Sequence, residues 1–279
     1  MKEIPKIIHQ VWVGPHSMPE PLKKCIETVK KHHPDWEYHL WTDENIPDDF
    51  CLKDELRGDH CEQFQGNENG LGRMSDVLRL GMLWQYGGVY LDTDMEALKP
   101  IDTLLEGLEF FLGCEHGDWK GCAILGSAKE SEFLEVPMRL LKERHTPEGI
   151  EEMKRINAFN GPKFGGPAMW NDAWHIDREK YEGSGSKAFE SKYFYPWKYD
   201  EGTRIQQWQI PSNPNDFWPE LHMIHHWSLT WMWQDNTWQE MELKRPQEEP
   251  NGLTHHGNVS KAPVGRIHNS KENADNITS

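Results

Sequence analysis

The chain has 279 residues, enough for one large domain whose core needs no disulfides. Forty-six acidic residues against 30 Lys and Arg give a formal charge of −16, which repels phosphate backbones and anionic membranes and argues against nucleic-acid binding as the main activity. Fourteen Trp point instead to flat faces, such as sugar or base rings, that an indole can stack on.

No run approaches the roughly 20 apolar residues that span a bilayer. The start MKEIPKIIHQVW lacks the apolar core of a secretory signal, so the expectation is a soluble, cytoplasmic chain with no integral membrane segment. Five cysteines, an odd count without a CxxC pair, read as free thiols. The Asn-X-Ser/Thr triplets at Asn258 and Asn276 lie in a polar tail and carry no weight.

In chain order, Ile7 to Val13 reads as a buried first strand bounded by Pro5 and Gly14-Pro15, with a helix over Glu20 to Lys31 behind it and a second strand from Glu37 to Trp41. Strand, helix, strand in that order favours a mostly parallel, Rossmann-like α/β sheet flanked by helices, with ligands beyond the carboxyl ends of its strands. The acidic segment Asp43 to Asp59 reads as a surface excursion with one short helix. Leu71 to Tyr86 is the clearest helix: Met74, Val77, Leu78, Met82 and Leu83 recur at helical spacing until Gly87-Gly88 stops it. Val89 to Leu91 follows as a buried strand. Glu109 to Gly113 and Gly121 to Leu125 read as strands, Glu132 to Arg144 and Ala168 to His175 as helices, and Leu221 to Trp227 as a late strand. No internal repeat or dividing linker is visible. From Pro246 on there is no Phe, Tyr or Trp, so the expected organisation is a single domain over 1–245 and a disordered polar tail over 246–279.

Two segments carry chemistry. In the long helix Arg73, Asp76 and Arg79 are three apart, which places plus, minus and plus along one stripe. Beyond the Gly-Gly turn, Tyr90, Asp92 and Asp94 alternate along a strand and so point one way, at its carboxyl end. Paired carboxylates there suit a hard divalent ion, Mn²⁺ or Mg²⁺, which commonly bridges protein to a diphosphate. Alone, an Asp-X-Asp triplet mostly means a capped strand, with Asp76 and Arg79 a solvated surface pair. The convergence of helix, turn and strand on one end of the sheet favours the site. Far along the chain, Ile224-His225-His226-Trp227 offers one imidazole per face of a strand, so only one histidine can join Asp94; His225 shares its face with Trp227, and Thr230 offers a hydroxyl. A core histidine among packing tryptophans is the alternative.

Ile4 to Gly14, the Ser75-Asp76-X-X-Arg79 helix, Gly87-Gly88-Val89-Tyr90-Leu91-Asp92-Thr93-Asp94, and His225-His226-Trp227 with Thr230-Trp231 together resemble the glycosyltransferases with a DXD sugar-binding motif. These are family 32 of the sugar transferases, of the type of the yeast initiating α-1,6-mannosyltransferase, with distant kin in clostridial glucosylating toxins and α-1,4-galactosyltransferases. The matched motifs run from Ile4 to Trp231. The resemblance implies a GT-A fold, a UDP- or GDP-hexose donor and transfer with retention of configuration. It implies a catalytic set of Asp76, Arg79, Asp92 and Asp94, with Trp12 on the base, Asp76 and Arg79 on sugar hydroxyls, and Tyr90 lining the pocket. Asp92 would touch ribose and sugar, Asp94 would ligate the metal with His225 and Thr230, and Trp231 would lie against the phosphates. Thr230 stands where the family usually has Ser, and Gly165-Gly166-Pro167 where it commonly has Thr-Gly-Pro.

The expected activity is thus a metal-dependent retaining hexosyltransferase acting on a glycan or lipid-linked saccharide. The acceptor enters on the face of the departing diphosphate, since no separate nucleophilic carboxylate stands out. The alternatives are transfer to a protein side chain, as the toxins do, or a non-catalytic carbohydrate-binding protein. The yeast members carry an amino-terminal membrane anchor; a start without one gives the expectation of a bacterial-type or viral enzyme, at most peripheral to membrane-bound glycan assembly. The placement of Trp119, Trp170, Trp174 and Trp197 is open between packing and acceptor contact.

Overall fold

The computed structural model describes residues 2–57, 68–156, 163–196 and 219–228. In its first half the elements are β1 (Ile7–Val11), α1 (Glu20–His32), β2 (Glu37–Trp41), α2 (Lys53–Arg57), α3 (Glu68–Tyr86), β3 (Gly88–Leu91) and β4 (Met95–Ala97). Then come β5 (Phe110–His116), β6 (Trp119–Ser127), α4 (Glu135–Arg144), α5 (Pro147–Arg155), α6 (Pro167–Ile176), α7 (Arg178–Tyr181), β7 (Ser186–Phe189) and β8 (Met223–His225).

Six strands form one sheet in the order β2-β1-β3-β6-β5-β7. β1 runs parallel to both β2 and β3, and β5 parallel to β7, while β6 is antiparallel to its neighbours β3 and β5. Only β6 is reversed, so the expected mostly parallel α/β sheet is present, and the carboxyl ends of β1, β3 and β5 share one edge. Period-2 alternation sends Tyr90, Leu112 and Leu125 into a core with Val77 and Leu83 of α3 and Trp170 of α6. Val89, Leu91, Phe111 and Ile124 face the other way, into a core with Val29 of α1 and Met223 of β8.

The turn from α3 into β3 demands glycine. Gly87 and Gly88 have φ of +70° and +99°, and a β-carbon at Gly88 would sit 2.5 Å from the Ile7 carbonyl oxygen. A small second sheet pairs β4 with β8, antiparallel, and sets Met95 opposite His225.

Several expectations need correction. β1 stops at Val11 rather than Val13, and the segment Glu132 to Arg144 opens as a short 3₁₀ turn, Glu132–Leu134, before α4. The late strand is only Met223–His225, because Trp227 takes a left-handed φ of 52°, which breaks a ladder. Strands β5 and β6 are longer than their apolar runs and form a hairpin. The short strands β4 and β7 were not anticipated, nor was α5, although Thr146 caps it and Pro147 opens it. Trp170 and Trp174 are core residues, whereas Trp119 at the β5–β6 tip is 38% exposed and stacks with His116. Among the described residues, no helix is long and apolar enough to cross a membrane. The described residues fall within one unit, Met1–Pro246; Cys61, Trp197, Thr230, Trp231 and the segment 246–279 lie outside them.

Candidate active site

Asp92-Thr93-Asp94 is a turn, not a strand. β3 ends at Leu91, and the Met95 N–H donates to the Asp92 carbonyl at 3.0 Å, closing the chain into β4. The carboxylates therefore converge because the turn folds them together, not because side chains alternate. The Asp92 N–H is held by the Ala123 carbonyl at 2.8 Å, and the Gln10 amide donates to the Asp92 carbonyl at 3.0 Å, so β6 and β1 both anchor the turn.

Helix α3 delivers the neighbouring charges. The Arg79 guanidinium donates to Asp76 Oδ1 at 2.7 Å, Asp92 Oδ1 at 3.1 Å and Tyr90 Oη at 3.3 Å. Tyr90 Oη in turn donates to Asp92 Oδ1 at 2.8 Å. One fork thus ties helix to turn. A buried pair of this kind orients its members more than it stabilises the fold. Burial pushes the Asp76 carboxyl up to about 6 against the pull of Arg79. Arg73 also pulls the Asp76 carboxyl down, and its guanidinium lies 5.6 Å from the Phe164 ring centroid.

The third group arrives from β8. Its pairing with β4 brings His225 Nε2 within 3.2 Å of Asp94 Oδ1 and 3.7 Å of Asp92 Oδ2. His226 faces the opposite way and bonds Glu96 at 2.9 Å, as strand alternation requires. The left-handed residue Trp227 turns the chain so that the Ser228 N–H donates to Asp94 Oδ2 at 2.7 Å. Burial works to raise the Asp94 carboxyl, but His225 and the Ser228 hydrogen bond overcome it and hold the group well below the usual carboxylate range. Burial likewise opposes charge on His225, yet Asp94, Asp92 and Glu115 raise it above the ordinary histidine value.

One atom each from Asp92, Asp94 and His225 lies within 4.8 Å of the others, a set that among the described residues can hold a metal ion. Two carboxylate oxygens and one imidazole suit Mn²⁺ or Mg²⁺, and an Asp94 that stays ionised suits either. Asp76, Arg79, Tyr90, Asp92, Asp94 and His225 are therefore brought together. Trp12 stands on the loop after β1, its indole N–H donating to the His16 carbonyl at 2.8 Å.

Sequence reasoning missed the Ser228 amide and Glu115, and singled out Gly165 only as a departure from the family pattern. The Ser228 amide carries no sequence signal, since any residue supplies an N–H. Gly165 lies against Asp76: a β-carbon there would come 2.8 Å from Asp76 Cβ, so a larger residue would have to displace the helix or the loop. Glu115 is buried at the carboxyl end of β5, and its signal was an acid closing the apolar run Phe110-Phe111-Leu112-Gly113-Cys114.

Residues 19–111 match the family described as the glycosyltransferase sugar-binding region containing a DXD motif. The chain is 37% identical over 250 residues to the inositol phosphoceramide mannosyltransferase 3 of Schizosaccharomyces pombe, covering 81% of this chain and 60% of that protein. It is 33% identical over 115 residues to inositol phosphoceramide mannosyltransferase 1 of the same yeast, covering 40% of this chain and 34% of that protein. The chain thus spans about a third to three fifths of the length of these relatives. Among solved structures, PaToxG glycosyltransferase is similar at 19% identity and a TM-score of 0.49, over 65% of this chain and 71% of that one.

Proposed function

This chain carries the sugar-binding region of the DXD-containing glycosyltransferases and is related to yeast mannosyltransferases, and on that premise we propose that it is a metal-dependent, retaining hexosyltransferase. Its donor is a UDP- or GDP-hexose, with mannose first among the sugars because the related enzymes are named for it. Its acceptor is a glycan or lipid-linked saccharide, in keeping with relatives named for an inositol phosphoceramide. It works in the cytoplasm, peripheral to membrane-bound assembly. The observation that carries the reading is the Asp92, Asp94 and His225 cluster joined to Asp76 through Arg79.

A bound Mn²⁺ or Mg²⁺ supplies neutralisation of the departing diphosphate. Asp94 and His225 would hold it, with Thr230 as the expected third protein ligand. Asp92, fixed by Arg79 and Tyr90, faces ribose and sugar, and Asp76 accepts from sugar hydroxyls. By the resemblance, Trp12 would stack on the base and Trp231 would lie against the phosphates. The bond from sugar C1 to the diphosphate oxygen breaks with its electron pair on the diphosphate. The acceptor oxygen bonds C1 on the same face, and its proton passes to the departing diphosphate. Pre-positioning of donor and acceptor supplies most of the acceleration.

The test is turnover of a panel of UDP- and GDP-hexoses with Mn²⁺. One selective donor is expected, with loss in EDTA and in Asp94→Asn. Turnover of none, or equal turnover in Asp94→Asn, would sink the reading. Binding of glycan indifferent to EDTA would indicate a carbohydrate-binding protein instead.

A further inference from the structure

Glu115 sits at the carboxyl end of β5, on the edge of the sheet that also carries Asp92, because β3 and β5 run the same way with β6 reversed between them. It is only 8% exposed, and among the described residues no hydrogen bond or ion pair engages its carboxyl group. The Tyr195 hydroxyl is buried and, among the described residues, without a hydrogen-bond partner. The two polar groups are neighbours: a β-carbon on Gly121 would lie 2.7 Å from Glu115 Cγ and 2.7 Å from Tyr195 Oη. Glycine at 121 thus lets both side chains pack against its bare backbone. The Tyr195 ring meets His225 edge-on at 5.5 Å, which sets this pair beside the carboxylate and imidazole cluster.

A buried polar group without a partner is costly, and the Tyr195 hydroxyl is such a group beside Glu115. Glu115 lies outside the Asp92, Asp94 and His225 set that can share a metal ion. Burial pushes its carboxyl up to about 7; His225 and Arg79 pull it down and Asp92 pushes it further up. A carboxyl group offers two oxygens that accept from neighbouring hydroxyls on a sugar ring. The charges acting on it, His225, Asp92 and Arg79, are those of the donor side of the site.

We propose that Glu115, with Tyr195 Oη beside it over Gly121, binds hydroxyl groups of the donor hexose and thereby selects which hexose the site accepts. The assignment rests on the transfer reading above. It makes Glu115 a substrate contact and leaves diphosphate binding to other residues.

The test compares binding of UDP and GDP with binding of their hexose derivatives, by calorimetry in Mn²⁺, for the wild type, Glu115→Ala, Glu115→Gln and Tyr195→Phe. Nucleotide affinity is expected to stay within about twofold of wild type in all variants. The added affinity contributed by the hexose is expected to fall about ten- to hundredfold in Glu115→Ala, recover in part in Glu115→Gln, and fall less in Tyr195→Phe. KM for the donor rises in step, and the ranking of hexoses changes. Retention of the hexose increment in Glu115→Ala overturns the assignment. So does equal weakening of nucleotide and nucleotide-hexose, which marks a structural role, or a change confined to acceptor KM. If Glu115→Ala fails to fold, Glu115→Gln and Tyr195→Phe decide, since both preserve volume; an unchanged hexose increment and ranking in both overturns the proposal. A wild type that binds no UDP- or GDP-hexose overturns the transfer reading itself, a result distinct from failure of Glu115 in a binding-competent protein.

Discussion

His9 and His225 are both buried, both on strands and both next to tryptophan, yet they behave as opposites. The His9 ring packs 5.8 Å from His39 and 6.0 Å from Trp41, donates from Nε2 to the Gly87 carbonyl at 2.8 Å and accepts the Trp41 indole N–H on Nδ1 at 3.1 Å. Both nitrogens are used, and among the described residues no carboxylate bonds the ring. Burial pushes its pKa down to about 4, which keeps it neutral. His225 instead has two carboxylates before Nε2 and, among the described residues, an Nδ1 without a hydrogen-bond partner. Burial acts on it in the same direction, but the carboxylates win. Burial alone makes a histidine a packing residue, and burial beside acids makes it available to a cation.

The contrast is broken most severely at Asp94. Asp94→Ala should lower kcat/KM by at least about a thousandfold and abolish Mn²⁺ binding seen by calorimetry, because the cation loses its ionised anchor. Retained metal binding would move the site elsewhere. His225→Ala should weaken Mn²⁺ by about ten- to hundredfold, the range seen when groups supporting a metal site are removed. His9→Ala should do the reverse, leaving Mn²⁺ affinity unchanged while costing about 3 kcal/mol in denaturant unfolding, since it opens a cavity and strands the Trp41 N–H. A change in metal affinity there would erase the distinction between the two histidines.

pH sharpens it further. The folded pKa of His9 is about 4 against an ordinary 6.5, so the unfolded chain binds more protons between these values. Stability is therefore lost as pH falls through that window, by at most about 3 kcal/mol, and His9→Gln should flatten this limb. The raised His225 has the opposite sign: its contribution to the metal-free protein is present below 6.5 and is lost as pH rises through its folded value. Mn²⁺ affinity should grow over that same rise, because the proton must leave Nε2 before a cation can bind. Affinity independent of pH from about 5.5 to 8 would remove His225 from the ligand set.

Local periodicity made part of this protein legible without coordinates. Three-residue spacing on a helix put Asp76 beside Arg79, Gly87-Gly88 marked the sharp turn that only glycine allows, and period 2 separated His225 from His226. These relations depend on residues a few positions apart, so the chain's own geometry determines them. The alternation offered for Asp92 and Asp94 reached a correct convergence by a wrong route, because a turn closed by Met95 replaces the strand there. Other relations join distant segments. The β4–β8 pairing brings His225 to Asp94, a left-handed Trp227 aims the Ser228 amide, and the order β3-β6-β5 sets Glu115 on the edge that carries Asp92. No local pattern encodes such pairings, since strand register across a hundred residues is selected by the packing of whole sheet faces. The sequence determined which chemical groups the site would contain, and the tertiary structure decided which of them meet and which are left without a partner.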